Sequence, residues 1–184
     1  MSNDIDLDAD ELKFLAIQAS RNNQTKHALM YLKHAIQQQP ADGELLYLMA
    51  AEHAQLGMYD RAAEEMTAAL DLNPQMHTAR LQLGLLHLTA GRVDAARSML
   101  QRLASLGPDS YFSYFATGLE YLIQDQFSAC RAALERGILM NVENPALNGD
   151  MQKIIDALPV PSQPESGDTS SVWLSAYERN SDTH

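Results

Sequence analysis

The sequence predicts an all-α protein built from helix pairs that repeat along the chain. Several residue types recur at a step of 34 residues, and a period of about 20 to 50 residues is typical of repeat proteins. Within each period the apolar residues are spaced as on one face of a helix, and Gly or Pro punctuates the pattern. We therefore expect an α-solenoid, in which each repeat packs on its neighbours.

Five positions keep the same phase along the chain. They are Pro40, Pro74 and Pro108; Asn23, Gly57, Gly91 and Asp125; Ala28, Ala62, Ala96 and Cys130; Ala16, Ala50, Gly84 and Gly118; and Leu32, Met66, Leu100 and Leu134. The small residues at two of these positions allow neighbouring helix backbones to approach closely. The large residue of the last set is expected to fill the space beside that crossing.

The second repeat illustrates how each helix is predicted. Residues 44–56 are apolar at helical spacing, and the segment 57–60 interrupts them with a glycine able to adopt a positive φ. Residues 61–72 form the second helix, and Pro74 follows because proline cannot continue a helix. Each repeat is thus predicted to be a helix, a short turn and a second helix.

Different features are expected at the two ends of the chain. Residues 1–8 are an acidic segment, and Asp8 followed by Glu11 has the pattern of a capping box at the start of the first helix. Residues 145–158 are predicted to form an amphipathic helix that covers the last repeat. Residues 159–184 have the composition of a flexible tail. This tail contains one apolar island, residues 172–177.

The motifs LGMYDRA at 56–62, ALDLNP at 69–74 and AGRVDAA at 90–96 carry a resemblance to a known family. The pattern resembles the tetratricopeptide repeat (TPR) family in its bacterial form. The resemblance covers four repeats, 9–42, 43–76, 77–110 and 111–144, and implies a right-handed superhelix. At the eleventh position of a repeat, where the family usually has tyrosine, this chain has Ala19, His53, His87 and Tyr121.

Composition excludes several classes of partner. The 184 residues hold 13 Lys and Arg against 24 Asp and Glu, a net charge of −11. Binding to nucleic acid or to an anionic membrane surface needs a basic footprint, which is absent here. The longest unbroken apolar run, 45–51, is too short to insert into a membrane. The acidic start of the sequence and its lone cysteine, Cys130, favour a cytoplasmic location.

The sequence contains no motif of an active site. We find no glycine-rich phosphate loop, nucleophile elbow or HExxH motif, and we expect a non-catalytic protein without a cofactor. His53 and His87 share a position in adjacent repeats, so a metal-binding or enzymatic role for them is a less favoured alternative. We expect both histidines to be packing residues, and we expect Cys130 to be a buried structural thiol.

The resemblance also implies a binding surface, because the first helix of each TPR repeat lines a concave groove. Carrying those positions over by phase predicts an apolar groove for a protein segment. The predicted groove residues are Phe14, Ile17, Tyr47, Leu48, Leu81, Leu85, Phe112, Phe115, Leu119 and Leu122. The carboxylate-clamp variant of the family is not predicted, since only Lys13 of its five polar positions is present. Some of the apolar residues are expected to pack between repeats.

The predicted function is that of a protein-interaction module, an adaptor or assembly scaffold, which binds an apolar or amphipathic segment of a partner. The alternative is a dedicated chaperone of the type III translocator or needle-subunit kind, which the chain resembles in size, charge and apolar groove. The tail motif, formed by Val172, Trp173, Leu174 and Tyr177, is a candidate ligand of the groove in the same or a neighbouring chain. Self-association through this tail or through the solenoid ends is left open.

Overall fold

The structure is a computed structural model that describes residues 7–159. Within that range the chain forms nine α-helices and no strand. The helices are α1 (Ala9–Arg21), α2 (Thr25–Gln38), α3 (Gly43–Gln55), α4 (Tyr59–Leu72), α5 (His77–Thr89), α6 (Val93–Ala104), α7 (Tyr111–Ile123), α8 (Phe127–Met140) and α9 (Pro145–Ala157). The prediction of an all-α chain of repeated helix pairs is confirmed. The predicted tail motif, with Val172, Trp173, Leu174 and Tyr177, lies outside the described residues.

The turns inside the helix pairs share one backbone conformation. Asn23, Gly57, Gly91 and Asp125 all have a positive φ, between 55° and 73°. Glycine adopts this region without strain, and Asn and Asp tolerate it better than other side chains do. The recurrence of these three residue types at one position of the repeat therefore has a local steric cause.

The first helix begins at a capping box, as the sequence predicts. The backbone N–H of Glu11 donates to Oδ1 of Asp8 at 2.8 Å, and the backbone N–H of Asp8 donates to Oε2 of Glu11 at 3.0 Å. Two otherwise unpaired amides at the helix start are thereby satisfied.

The described chain divides into two compact units at the boundary between Leu83 and Gly84, inside α5. The first, which we call unit 1, contains α1 to α4 and the start of α5. Within unit 1, α1 packs on α2, α2 on α3, and α3 on α4. Apolar residues at the recurring positions are buried in these contacts, among them Ala16, Leu32, Ala50, Ala62 and Met66.

The second, unit 2, contains the rest of α5 and helices α6 to α9. Two glycines in this unit show why small residues recur. A Cβ atom built on Gly84 would lie 3.3 Å from Cδ2 of Leu100, and one built on Gly118 would lie 2.5 Å from Cδ2 of Leu134. The predicted pairing of a small residue with the large residue sixteen positions later is confirmed at both places.

Helix α9 packs on α8 at the end of the described chain. Its apolar face, Leu147, Met151, Ile154 and Ile155, is buried. The buried Asn141 connects the two helices, since its side-chain amide donates to the Asn144 carbonyl and to Oδ1 of Asn148, both at 2.8 Å.

Candidate functional site

The ten residues predicted to line a groove differ widely in exposure. Phe14 is 61% exposed, whereas Ile17, Tyr47, Leu48 and Leu85 are partly exposed. The other five are buried; they are Leu81, Phe112, Phe115, Leu119 and Leu122. The partly or fully exposed residues are therefore concentrated in unit 1, which holds Phe14, Ile17, Tyr47 and Leu48.

Helix α1 has one stripe of exposed or partly exposed side chains, two of which are apolar. Phe14, Ile17 and Arg21 are spaced by three and four residues, so they lie on the same face of the helix. Phe14 is mostly exposed, whereas Ile17 is partly buried. We call the surface formed by Phe14, Ile17, Tyr47 and Leu48 the α1–α3 surface.

An ion pair connects the two helices at this surface. Nζ of Lys13 on α1 donates to Oε2 of Glu44 on α3 at 3.0 Å. The hydrogen bond to Glu44 raises the pKa of the Lys13 ammonium above its usual value, and partial burial acts in the opposite direction. Because Lys13 is engaged in this way, it is not a free cation for the carboxylate of a ligand.

Ile17 and Leu48 line the same pocket. It has a volume of about 110 Å³, and it is lined by residues of α1 and α3 together with Leu32 of α2. Its polar lining includes Arg21 and Glu52. The structure thus brings together two of the predicted groove residues and adds an acidic residue that was not predicted.

Glu52 is buried, with 3% of its surface exposed, and its Oε2 atom accepts no hydrogen bond. Sequence reasoning assigned it no role. A signal was present, because Glu52 lies seven residues after the buried Leu45 and thus on the same face of α3. An acid on the inward face of a helix is rare unless it is paired.

In unit 2 the aromatic residues of α7 form part of the packing. The ring of Phe115 lies against Gly137 of α8, where an added Cβ atom would approach its ring carbons to 2.5 Å. Tyr111 contacts Phe112 and Phe115, with ring centroids 4.2 and 5.7 Å apart. Glycine at 137 leaves the room that the Phe115 ring occupies, and this explains why that side chain faces inward.

The two histidines proposed as alternative ligands have separate partners. Nδ1 of His53 lies 2.6 Å from Oε2 of Glu65 in unit 1. In unit 2, Nε of Arg92 donates to Nδ1 of His87 at 3.1 Å. Between residues 7 and 159 there is no group of three or more His, Cys, Asp or Glu side chains that could hold a metal ion.

The thiol of Cys130 is fully buried in α8, and burial raises its pKa to about 12. A thiol held in its neutral form is a poor nucleophile. In the same described part of the chain, no helix has both the length and the apolar character needed to cross a bilayer.

Helix pairs repeated at a fixed step, with small residues at their crossings, define an α-helical repeat protein. Residues 53–117 match the tetratricopeptide repeat family model. This match supports the resemblance to the tetratricopeptide repeat family that the sequence motifs predict. No curated protein sequence matches it significantly.

Solved structures with a similar fold include those of MamA and YrrB. MamA of Desulfovibrio magneticus RS-1 (residues 41 to the end) is 21% identical, with a TM-score of 0.59 over 94% of this chain and 92% of that one. A further crystal structure of MamA is 16% identical, with a TM-score of 0.58 over 94% and 89% of the two chains. YrrB, described as a TPR protein with an unusual peptide-binding site, is 19% identical, with a TM-score of 0.57 over 77% and 74%.

Proposed function

We propose that the protein is a non-catalytic interaction module, an adaptor or assembly scaffold, that binds an apolar or amphipathic segment of a partner protein at the α1–α3 surface. Helical-repeat proteins use extended surfaces of this kind to bind other proteins. The proposal assigns the contacts to Phe14, Ile17, Tyr47 and Leu48. The predicted residues that are buried, such as Phe115, have a packing role in it.

The observation that carries the proposal is the exposure of Phe14. A phenylalanine with 61% of its surface in water forgoes most of the free energy that its burial would contribute. It lies on one helical stripe with Ile17, and Ile17 shares a pocket with Leu48. Aromatic residues that become buried on association supply a large share of interface energy.

A protein segment suits this surface better than a small molecule does. The pocket beside Ile17 and Leu48 holds only about 110 Å³, well below the several hundred Å³, roughly, of a typical small-molecule site. An amphipathic helix or extended segment can place one side chain in that pocket and another on Phe14. The likeness in fold to YrrB, which is described as having an unusual peptide-binding site, supports a peptide ligand here.

A dedicated secretion chaperone remains the alternative role for the same surface. A chaperone would hold one small client at equal stoichiometry, whereas a scaffold would bind segments of larger, stable assemblies. The lone Cys130 supports a cytoplasmic setting for either role, and the resemblance to the bacterial form of the family supports a bacterial one.

The test is selection of binding segments from a displayed peptide library by the full chain. We expect apolar or amphipathic segments to be enriched, and Phe14→Asp to weaken their binding by about tenfold or more. Leu139→Asp is the matched control, because Leu139 on α8 is 75% exposed and lies in unit 2. Equal binding by the two variants, or no enriched segment, would overturn the proposal.

A further inference from the structure

The pocket between α1 and α3 is lined by a buried acid, Glu52, and one oxygen of its carboxyl group has no partner. Glu52 is almost fully buried, and its Oε2 atom accepts no hydrogen bond from any described residue. A buried polar group that has lost water and gained no partner is costly, and more so when it is charged. A ligand that donates a hydrogen bond to Oε2 would remove that cost, so this atom is a specific point of attraction.

Apart from the polar residues Ser20 and Arg21, the rest of the lining fits an aliphatic chain. Apolar side chains of α1, α2 and α3 surround the space, namely Ala16, Ile17, Leu32, Leu48 and Ala51. A volume of about 110 Å³ is several times what one water requires, about 10–15 Å³ on the same kind of measure. A slender methylene stem can therefore contact these walls while its end group reaches the carboxylate.

Arg21 is the cationic residue of the pocket lining. Its side chain is exposed, and Oε2 of Glu52 accepts no bond from it. An exposed guanidinium is in contact with water, whereas Oε2 of Glu52 is buried and has no partner, so the larger need is for a hydrogen-bond donor to Glu52. An anion drawn to Arg21 would also come to lie near the negative charge of Glu52.

We infer that this pocket binds the ammonium group of a lysine side chain carried by the partner segment. One unpaired oxygen suits the compact ammonium group, since a guanidinium gains its advantage by bonding two oxygens at once. The inference rests on the proposed function for its ligand and deepens it: the segment that lies on Phe14 would carry a lysine that enters beside Ile17 and Leu48.

The pocket itself is tested with n-butylammonium chloride, which carries the ammonium and the methylene stem alone, and with 1-butanol as a neutral match. Methyl resonances of Ile17 and Leu48 in the full chain report binding. We expect saturable shifts with n-butylammonium and binding of 1-butanol that is weaker by about tenfold or more. Glu52→Gln should abolish the difference between the two probes, whereas Arg21→Gln should leave it in place.

Equal binding of the two probes, or an unchanged difference in Glu52→Gln, would overturn the inference. Should Glu52→Gln not fold, the unmodified protein gives the same answer with a selected segment in which lysine is replaced by norleucine. We expect about tenfold weaker binding or more, and equal affinities would again contradict the inference. If segments bind but show no preference for lysine, only this inference is refuted. If n-butylammonium binds but no segment is enriched, only the proposed function is refuted.

Discussion

Nδ1 of His53 lies 2.6 Å from Oε2 of Glu65, and both side chains are largely buried between α3 and α4. A carboxylate accepts hydrogen bonds, so the Nδ1 atom carries the proton. Nε of Arg61 donates to the other oxygen of Glu65 at 3.0 Å. The carboxylate thus joins the two helices of one repeat at the position where the family usually has tyrosine.

The equivalent histidine in the next repeat has a different hydrogen-bond partner. His87 corresponds to His53, but Met99 stands where Glu65 would be. Without that carboxylate, His87 accepts from Arg92 instead. Burial and, to a smaller extent, Arg92 lower the pKa of the His87 imidazole. Two histidines at one position of the repeat therefore have separate structural roles.

The first prediction concerns the His53–Glu65 pair. Glu65→Ala leaves a buried imidazole N–H without an acceptor, and we expect the free energy of unfolding to fall by about 1–3 kcal/mol. Glu64→Ala is the control, since Glu64 is exposed on the same helix and its change should stay within about 0.5 kcal/mol. Urea unfolding of both variants measures the difference. Indistinguishable midpoints would show that the pair adds nothing to stability.

The second prediction concerns the close helix crossing in unit 2. Gly118→Ala places a methyl group 2.5 Å from Leu134, and we expect the overpacking to cost about 1–3 kcal/mol despite the better helix propensity of alanine. Gly149→Ala is the matched control, because an added Cβ atom meets nothing within 4 Å there. That variant should be more stable by roughly 0.5–1 kcal/mol. Thermal unfolding should move the two midpoints in opposite directions, and a shift in the same direction would contradict the packing at Gly118.

The third prediction concerns the reactivity of Cys130. Burial raises the thiol pKa from 9.0 to about 12 and so lowers the fraction of Cys130 that is thiolate. At pH 8 we therefore expect a thiol reagent to label Cys130 at least roughly a thousandfold more slowly than a free cysteine. Labelling in denaturing urea provides the reference rate. A native rate close to that reference would show that Cys130 is accessible and ionised.

The fourth prediction concerns the pH dependence contributed by Asp150 on α9. Burial raises the pKa of this carboxyl, and Lys153, 3.4 Å away, opposes the rise only in part. The folded state therefore binds the Asp150 proton more tightly than the unfolded state does. The stability that this gives the folded protein is fully present below the unfolded pKa of Asp150, and it is lost as pH rises through the folded pKa. Asp150→Asn stays neutral throughout, so its stability relative to the unmodified chain should increase from pH 3.5 to pH 7.

The control for that experiment is Asp109→Asn, since Asp109 is exposed. Urea unfolding over the pH series gives the comparison. If the stability of Asp150→Asn relative to the unmodified chain decreases as pH rises, the pKa of Asp150 is not raised by folding.

Much of the fold could be predicted because its rules are local and periodic. The 34-residue step indicates which residues meet at a helix crossing, as Gly118 and Leu134 do. The turn conformation follows from the residue types at one position, and the cap at Asp8 follows from a four-residue pattern. Each of these features depends on residues within one repeat.

The candidate site could be predicted only in part, because exposure depends on the neighbouring helix. Phe14 and Phe115 both lie on first helices of a repeat, yet Phe14 is exposed and Phe115 is buried against Gly137. Helical periodicity gives the face of each residue and does not tell whether another element covers it. The unpaired oxygen of Glu52 is likewise visible only once the surrounding contacts are known.

The proposed binding surface is tested most directly by a map of amide and methyl chemical shifts in the full chain as a selected partner segment is added. We expect the perturbed residues to be those of α1 and α3, with Phe14, Ile17 and Leu48 among the most affected. Perturbations confined to α8 and α9, around the exposed Leu139, would contradict it.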